Sequence, residues 1–279
     1  MKISVCMITY NHEKYIKQAI ESVLMQVTDF DFELIISNDN SNDYTDKVIN
    51  DLLTSHPKAN RIKYIKNQQN LGMMLNFVQA VQNCQGEYVA LCEGDDYWTD
   101  PKKIQKQVDF LDKNPSFSIC YHSVAIDDGT TISEDHITKK VNEHTTIHDL
   151  ALGNYIHTCS VVYRNNLFVN FPDYFYDAPV GDYFIHLLNA QYGDIYHISE
   201  KMANYRIHNS SYWSSKADKE RISIWIEFLE KITPLFNTEV QLILKKQIAS
   251  HIKNKKKIAL RERKKIILDN IKSVFFKIN

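Results

Sequence analysis

Hydrophobic positions change their spacing repeatedly along the first half of the chain. Ile3-Ser4-Val5-Cys6-Met7-Ile8 is a short, nearly continuous apolar run, the pattern of a strand covered on both faces. Beyond Asn11, which can cap a helix, Ile16, Ala19, Ile20, Val23 and Leu24 recur at helical spacing. Residues 32–37 form a second strand ending at Asn38-Asp39-Asn40-Ser41, and 45–56 a second helix with Val48, Ile49, Leu52 and Leu53 inward. Residues 61–65 alternate as a half-exposed third strand. Asn70-Leu71-Gly72 then turns into a third helix with Leu75, Val78 and Val81 on one side. Residues 87–92 make a fourth strand. Asp100 as cap and Pro101 at the first helical position open a fourth helix striped by Ile104, Val108 and Leu111, and 117–122 is a fifth strand.

Strands alternating with helices predict an α/β fold, a parallel, right-handed sheet with helices on both faces. Ligands of such sheets bind outside the carboxyl ends of the strands. Those ends here carry Thr9-Tyr10-Asn11, Asn38-Asp39 and Glu93-Gly94-Asp95-Asp96. Carboxylates crowded against a buried strand end repel one another unless a cation or ligand sits among them. Alone, the last cluster reads equally well as a solvated acidic turn. Three polar clusters on one edge of one sheet favour a binding site.

Farther along, 127–142 is polar, a loop or minor hairpin, and 159–163 is strand-like. Asp182 opens an apolar helix running to Leu188, 195–198 is another strand, and 205–211 a polar loop rich in donors. Beyond Lys216 the pattern is helical. The composition, 44% hydrophobic and 24% charged, is that of an ordinary soluble globular protein. The start lacks a signal-peptide pattern, and no apolar run approaches the roughly 20 residues that span a bilayer. Five scattered cysteines, with Cys6, Cys92 and Cys120 inside strands, read as buried thiols rather than disulfides or zinc ligands, so the expected compartment is the cytosol. The net charge of −1 hides an asymmetry: residues 245–279 carry ten Lys and two Arg against Glu262 and Asp269. Within that tail, Ile252, Leu260 and Ile267 fit an amphipathic helix, followed by Phe275 and Phe276. Such a helix either lies on the anionic cytoplasmic face of a membrane or packs on the acidic body or another subunit.

There is no GxGxxG after the first strand, no GxxxxGK[ST] and no GxSxG, which excludes a dinucleotide Rossmann site, a P-loop and a hydrolase elbow. A carboxylate-lined sheet edge suits oxygen-ligand metals, Mg2+ or Mn2+, holding a diphosphate.

Four segments, 4–11, 19–26, 38–43 and 86–96, with Gly181-Asp182-Tyr183-Phe184 and Tyr205-Arg206-Ile207-His208 behind them, resemble the family 2 glycosyltransferases of bacterial surface-polysaccharide synthesis. The resemblance spans residues 3–213 and implies an inverting, nucleotide-sugar-dependent enzyme of GT-A fold. It implies a catalytic domain over 1–215, with a nucleotide-sugar half to about 115 and an acceptor half to 215, and a basic helical extension over 216–279. Thr9, Tyr10 and Asn11 would line the nucleobase loop, and Asp39 would accept the base imide N–H. Asp95 and Asp96 match the family's DxD-type motif, with Glu93 in its first acidic position. Asp96 is the expected metal ligand and Asp95 a nucleotide contact. Asp182 matches the catalytic base, though it could also be a helix cap. His208 is similar to a histidine near the metal or diphosphate, with Arg206 beside it as added positive charge. Trp98 and Trp213 either stack on a sugar or pack in the core. The sequence departs from the family at Asn38 and Asn40, which stand where Asp and Gly are usual; uridine is expected, with guanine or thymine left open. The acceptor would be a glycan or lipid-linked hydroxyl. A catalytically silent binding module and a nucleic-acid binder are the competing readings, and the acidic body argues against the second.

Overall fold

The structure, a computed structural model, describes residues 1–136, 141–208 and 216–276, and their side chains except at Asp218 and over 262–276. Trp213 and residues 209–211 of the expected donor-rich loop lie outside the described residues, as do the side chains of Ile267, Phe275 and Phe276. The chain divides into two compact units, Met1–His208 and Asn209–Asn279.

In chain order the first unit contains β1 (Ile3–Thr9), α1 (Ile16–Leu24), β2 (Phe32–Asn38), α2 (Thr45–Ser55), β3 (Ile62–Lys66), α3 (Met73–Gln82) and β4 (Tyr88–Leu91). It continues through β5 (Tyr97–Trp98), α4 (Lys103–Lys113), β6 (Phe117–Asp127), β7 (Ile132–Glu134), β8 (His144–Thr145), α5 (Ile147–Leu150), β9 (Val162–Arg164), α6 (Gly181–Ala190) and β10 (Asp194–Arg206). The sheet order is β3-β2-β1-β4-β9-β6-β10-β5, with β7 on β6 and β8 on β10. Pairings β3-β2-β1-β4 and β6-β10 are parallel, and β9 runs antiparallel to both β4 and β6. Two reversals cancel, so β1, β2, β4, β6 and β10 all point the same way. Their carboxyl ends share one edge.

The mostly parallel sheet follows from its residues. Every position of β2 is buried and β1 is buried at all but one, because helices cover both faces. Ile16, Ile20, Val23 and Leu24 of α1 and Ile104, Val108 and Leu111 of α4 join β1, β2 and β4 in one core. All five cysteines are buried and free.

Several local expectations change. Asn11 does not cap α1, whose first residue is Ile16. Its φ is 57° and its side chain accepts the Asn42 N–H, so it turns the exit of β1 toward the exit of β2. Asp100 sits ahead of α4 rather than at its cap, accepting the Lys102 N–H at 2.7 Å. In α3 the inward residues are Met74, Phe77, Val78 and Ala80, while Leu75 is exposed. Residues 127–142 do include a hairpin strand, β7. Tyr205 and Arg206 belong to β10 rather than to a loop: β10 pairs with β6 as far as Arg206 opposite Asp127, with irregularities between Ile198 and Ala203 absorbing a register shift.

In the second unit, α7 (Asp218–Ile232) and α8 (Thr238–Phe276) are the main helices, and Trp225 of α7 meets His251 of α8 at 6.2 Å between ring centres. No described helix is long and apolar enough to cross a membrane.

Candidate functional site

The acidic turn after β4 is pinned to the end of β1. The Cys92 N–H donates to the Cys6 carbonyl and the Gly94 N–H to the Ile8 carbonyl at 3.0 Å, continuing the ladder past the strand. Backbone approach there is so close that a Cβ on Gly94 would sit 2.7 Å from Thr9 Oγ1 and 3.0 Å from His12 Nδ1. Only glycine fits between β1 and the turn.

The carboxylates of the turn have different surroundings. Asp96 is 1% exposed and faces inward: its Oδ1 accepts the backbone N–H of Arg206 at 2.8 Å. Its Oδ2 is buried and receives no N–H or O–H from the described residues. Asp95 faces the other way. Its Oδ2 accepts His208 Nε2–H at 2.9 Å and lies 3.8 Å from His12 Nε2. Burial pushes the Asp95 carboxyl up, but the His208 hydrogen bond and the nearby His12 outweigh it and hold it below the ordinary value. Asp96 moves the opposite way, pushed well up by burial and then by the charge of Asp95. Glu93 is likewise pushed well up by burial and by Asp95, Asp96 and Asp182. Burial and mutual repulsion thus favour the neutral forms of Glu93 and Asp96, so ionising all three carboxyls at this edge costs free energy unless a further cation joins them.

Arg206 does not project over this edge. Its guanidinium lies between the rings of Tyr15 and Tyr97, 4.8 and 4.6 Å from their centres, and Nη2 donates to Gln18 Oε1 at 2.7 Å. Nη1 donates to the Asp95 carbonyl, and Nε is 3.6 Å from Asp127. Arginine suits this place because its planar head stacks and donates at once. It latches the acidic turn to β10.

A second polar pocket forms at the ends of β1, β2 and β3. Asp39 is 2% exposed; its Oδ1 accepts Leu71 N–H at 2.8 Å and Asn67 Nδ2 at 2.9 Å, and its Oδ2 accepts Gly72 N–H at 2.9 Å. The carboxylate thus shapes the turn into α3, leaving Oδ2 with acceptor capacity. Asn38 is committed to structure, accepting from Ser41 and donating to Tyr64. Asn40 adopts φ 57°, the left-handed conformation. Thr9 is buried, and its Oγ1 has no hydrogen-bond partner among the described residues; Asn11 is tied to Ser41, and Tyr10 is 40% exposed.

Asp182 is the second residue of α6, so its carboxylate faces the helix N-terminus rather than capping it from outside. A Cβ on Gly181 would overlap the sulfur of Met74, so α6 and α3 begin against each other. That contact sets the start of α6 against the start of α3, whose preceding turn Asp39 holds. Burial raises its carboxyl above the ordinary value, opposed by the Tyr183 N–H and by Asn154 Nδ2, which donates to Oδ2 at 3.0 Å. Trp98 belongs to the core, with Nε1 donating to the Cys159 carbonyl.

Sequence reasoning missed His12, Tyr15, Gln18, Asn67 and Asn154. The strand-end rule contains the signal for two of them. His12 leaves β1 one residue after Asn11, and Asn67 follows the last residue of β3. Among the described residues no three ligating side chains already converge on one point. The chemistry still fits a divalent cation that takes its remaining ligands from a bound anion: Asp95 and His208 touch, and among the described residues Asp96 Oδ2 behind them receives no N–H or O–H.

A family model described as Glycosyl transferase family 2 matches residues 4–169. An uncharacterized protein of Mycobacterium tuberculosis, Rv1520, is 37% identical over 229 residues, which cover 80% of this chain and 63% of that one. The chain thus spans less than two thirds of that relative. Among solved structures, S. aureus TarS 1–349 in complex with UDP-GlcNAc aligns with a TM-score of 0.67 at 19% identity, over 90% of this chain and 72% of that one. The mannosyltransferase PcManGT from Pyrobaculum calidifontis, in complex with GDP-Man and Mn2+, gives 0.63 at 13%, over 91% and 74%. These two likenesses concern the fold, which is GT-A.

Proposed function

The chain belongs to glycosyl transferase family 2, and we propose that it moves a sugar, with inversion, from a uridine-linked nucleotide donor to a hydroxyl of a glycan or lipid-linked acceptor. The observation that carries this reading is that the acidic turn and Asp182 share one sheet edge, close enough for the Asp182 charge to act on Glu93. Solved chains of the same fold hold UDP-GlcNAc, or GDP-Man with Mn2+, which supports a nucleotide-sugar donor and a divalent cation.

The two pockets take different parts of the donor. Asp39 Oδ2 accepts the base imide N–H, while Thr9 Oγ1 and the exposed ring of Tyr10 flank the base. Asp95 and His208 would hold a cation with the diphosphate, and Asp96 keeps the turn in register from behind. When bound, such a cation stabilises the charge of the departing diphosphate. Asp182 takes the proton of the acceptor hydroxyl on the opposite face of the sugar. Its raised pKa makes it a stronger base than a solvated aspartate. Glu93, beside both, contacts the sugar hydroxyls. Arg206 acts through the turn it latches and does not touch the donor.

A binding module without catalysis would share the donor pockets. A half-buried Asp182 at the start of α6, its carboxyl raised by burial, supports the enzyme reading over it. Radiolabelled UDP-sugars with Mn2+ test the proposal: transfer or hydrolysis that D182N abolishes supports it, and a purified protein that binds no nucleotide sugar overturns it. On its exposed side α8 carries Lys246, Lys253, Lys256 and Lys257 among Leu242 and Leu260. This pattern supports a place on an anionic membrane surface, where lipid-linked acceptors of cell-envelope polysaccharide synthesis would be met.

A further inference from the structure

We propose that His12 is a further residue of the cation site, completing with Asp95 and His208 a two-imidazole, one-carboxylate face that selects a first-row transition ion over Mg2+. The inference rests on reading this sheet edge as the site of the donor's cation and diphosphate.

Three segments far apart in sequence bring side chains to the same carboxylate: His12 leaves β1, Asp95 lies in the turn after β4, and His208 follows β10. The three donors do not meet at one point in the structure and would close on the ion only as it binds. Both imidazoles address the same carboxylate oxygen, His208 Nε2 at 2.9 Å and His12 Nε2 at 3.8 Å from Asp95 Oδ2. Their ring centres are 6.3 Å apart and nearly perpendicular. Tyr15 backs both rings, at 4.8 Å from His208 and 6.4 Å from His12.

His12 is also held as a positioned group rather than a loose loop side chain. Its backbone N–H donates to Thr45 Oγ1 at 2.8 Å, and its carbonyl accepts the N–H groups of Tyr15 and Ile16. Its Nδ1 is buried with no hydrogen-bond partner among the described residues, pressed against the backbone of Gly94. A core histidine normally satisfies both ring nitrogens. Here one nitrogen packs against the glycine of the acidic turn while the other points at Asp95. The bare Gly94 is what lets the ring approach.

The donor set fixes the preference. Carboxylate and water suit Mg2+, whereas imidazole favours later divalent ions. With one carboxylate the site would accept Mg2+ and Mn2+ alike; two imidazoles tilt it toward Mn2+ and Co2+.

The test measures metal binding apart from turnover. Mn2+ is titrated into the full chain with saturating UDP, free Mn2+ is read by electron paramagnetic resonance, and Mg2+ serves as competitor. Nitrogen modulation of the bound Mn2+ signal counts directly attached imidazoles. The wild type is expected to show two imidazole couplings and to prefer Mn2+ over Mg2+ by about tenfold or more. H12Q and H12N, made in parallel in case one folds poorly, each keep one coupling, lose at least about tenfold in Mn2+ affinity and change little toward Mg2+. A wild type with a single coupling, or H12Q and H12N that bind Mn2+ as the wild type does, overturns the role of His12 while leaving the cation site standing. Equal loss of Mn2+ and Mg2+ also overturns it, because it would mean a merely structural histidine. A wild type that binds no Mn2+ in the presence of UDP removes the cation reading itself.

Discussion

The backbone N–H of Arg206 donates to Asp96 Oδ1 at 2.8 Å, tying the last residue of β10 to the acidic turn 110 positions earlier. This bond separates two carboxylates that are neighbours in sequence. Asp96 is a buried anchor, and Asp95 is the carboxylate turned toward His12 and His208. Removing the anchor entirely, as in Asp96→Ala, leaves a buried N–H unpaired at a cost of about 1–3 kcal/mol. That corresponds to a melting temperature about 3–10 °C lower. Asp95→Asn should leave the melting temperature of the unliganded protein nearly unchanged. It should instead lose the stabilisation that Mn2+ with UDP confers on the wild type, about 2.7 kcal/mol at a hundredfold excess over Kd. Differential scanning fluorimetry on both variants, with and without Mn2+ and UDP, checks the division of labour. The reverse pattern, with Asp96→Ala merely insensitive to Mn2+ and Asp95→Asn strongly destabilised, would contradict it.

Asp182 gives the activity a predicted pH dependence. The base must be ionised to accept a proton, and burial raises its pKa. Activity is therefore lost as pH falls through that raised value, and the acid limb of kcat/KM lies above the ordinary aspartate range. Asn154 Nδ2 donates to this carboxylate and favours its charged form. Asn154→Ala should move the acid limb to still higher pH while sparing the plateau. Asp182→Asn should lower kcat by about 10²–10⁴-fold. The folded-state shift has its own sign: a raised pKa makes this group's contribution to stability largest in acid, and that contribution fades as pH rises through the folded value. Initial rates from pH 5 to 9, on the donor that a thermal-shift screen identifies, provide the test. An acid limb that Asn154→Ala leaves in place would sink the assignment.

Much of this arrangement is legible in the sequence, and what is not has one physical cause. The continuous apolar runs of β1 and β2 declare strands buried on both faces, and the polar residues ending them mark the candidate site's edge. Spacing within a segment is local and can be read. The orientation of a side chain is decided by its partner, which is often far along the chain. Arg206 reads in the sequence as a cation for the leaving group, and only the structure adds that Tyr15, Tyr97, Gln18 and the Asp95 carbonyl surround it. Asn11 has a cap's chemistry, but Asn42 and Ser41 claim it from the neighbouring strand end. Leu75 fits the helical stripe, yet the contact of Met74 with Gly181 sets which face of α3 turns inward. Each of these is a contact between segments that no periodicity encodes.

The lysines of α8 make the membrane proposal quantitative. Near an anionic surface each basic residue contributes about 1 kcal/mol, screened within a Debye length. Lys253, Lys256 and Lys257 changed together to Glu should therefore reduce binding to phosphatidylglycerol vesicles by at least about 100-fold. Turnover with a soluble acceptor should be unaffected. Vesicle sedimentation at low and high salt reads both the affinity and its electrostatic origin. Binding unchanged by the triple substitution would reassign the helix to a protein contact.

Gly94 offers the sharpest geometric test, because its requirement comes from approach rather than from backbone conformation. A methyl group there would meet Thr9 Oγ1 at 2.7 Å, Thr9 Cβ at 2.8 Å and His12 Nδ1 at 3.0 Å. Thr9 ends β1 and is buried, so it cannot swing aside, and His12 is fixed through its own backbone. The turn must then lift away from β1, breaking the bond from Gly94 N–H to the Ile8 carbonyl. Overpacking of this kind costs about 1–3 kcal/mol. The larger consequence is functional: lifting the turn carries Asp95 away from His12 and His208, and a displacement of about 1 Å at a catalytic centre costs on the order of 100-fold in rate. Gly94→Ala should therefore fold, melt a few degrees lower and lose both Mn2+ binding in the presence of UDP and nearly all activity. Pairing it with Thr9→Gly, which removes the nearer obstacle, should recover part of the stability. Metal binding should return only as far as His12 also gives way, and isothermal titration of the single and double variants with Mn2+ and UDP measures that recovery directly.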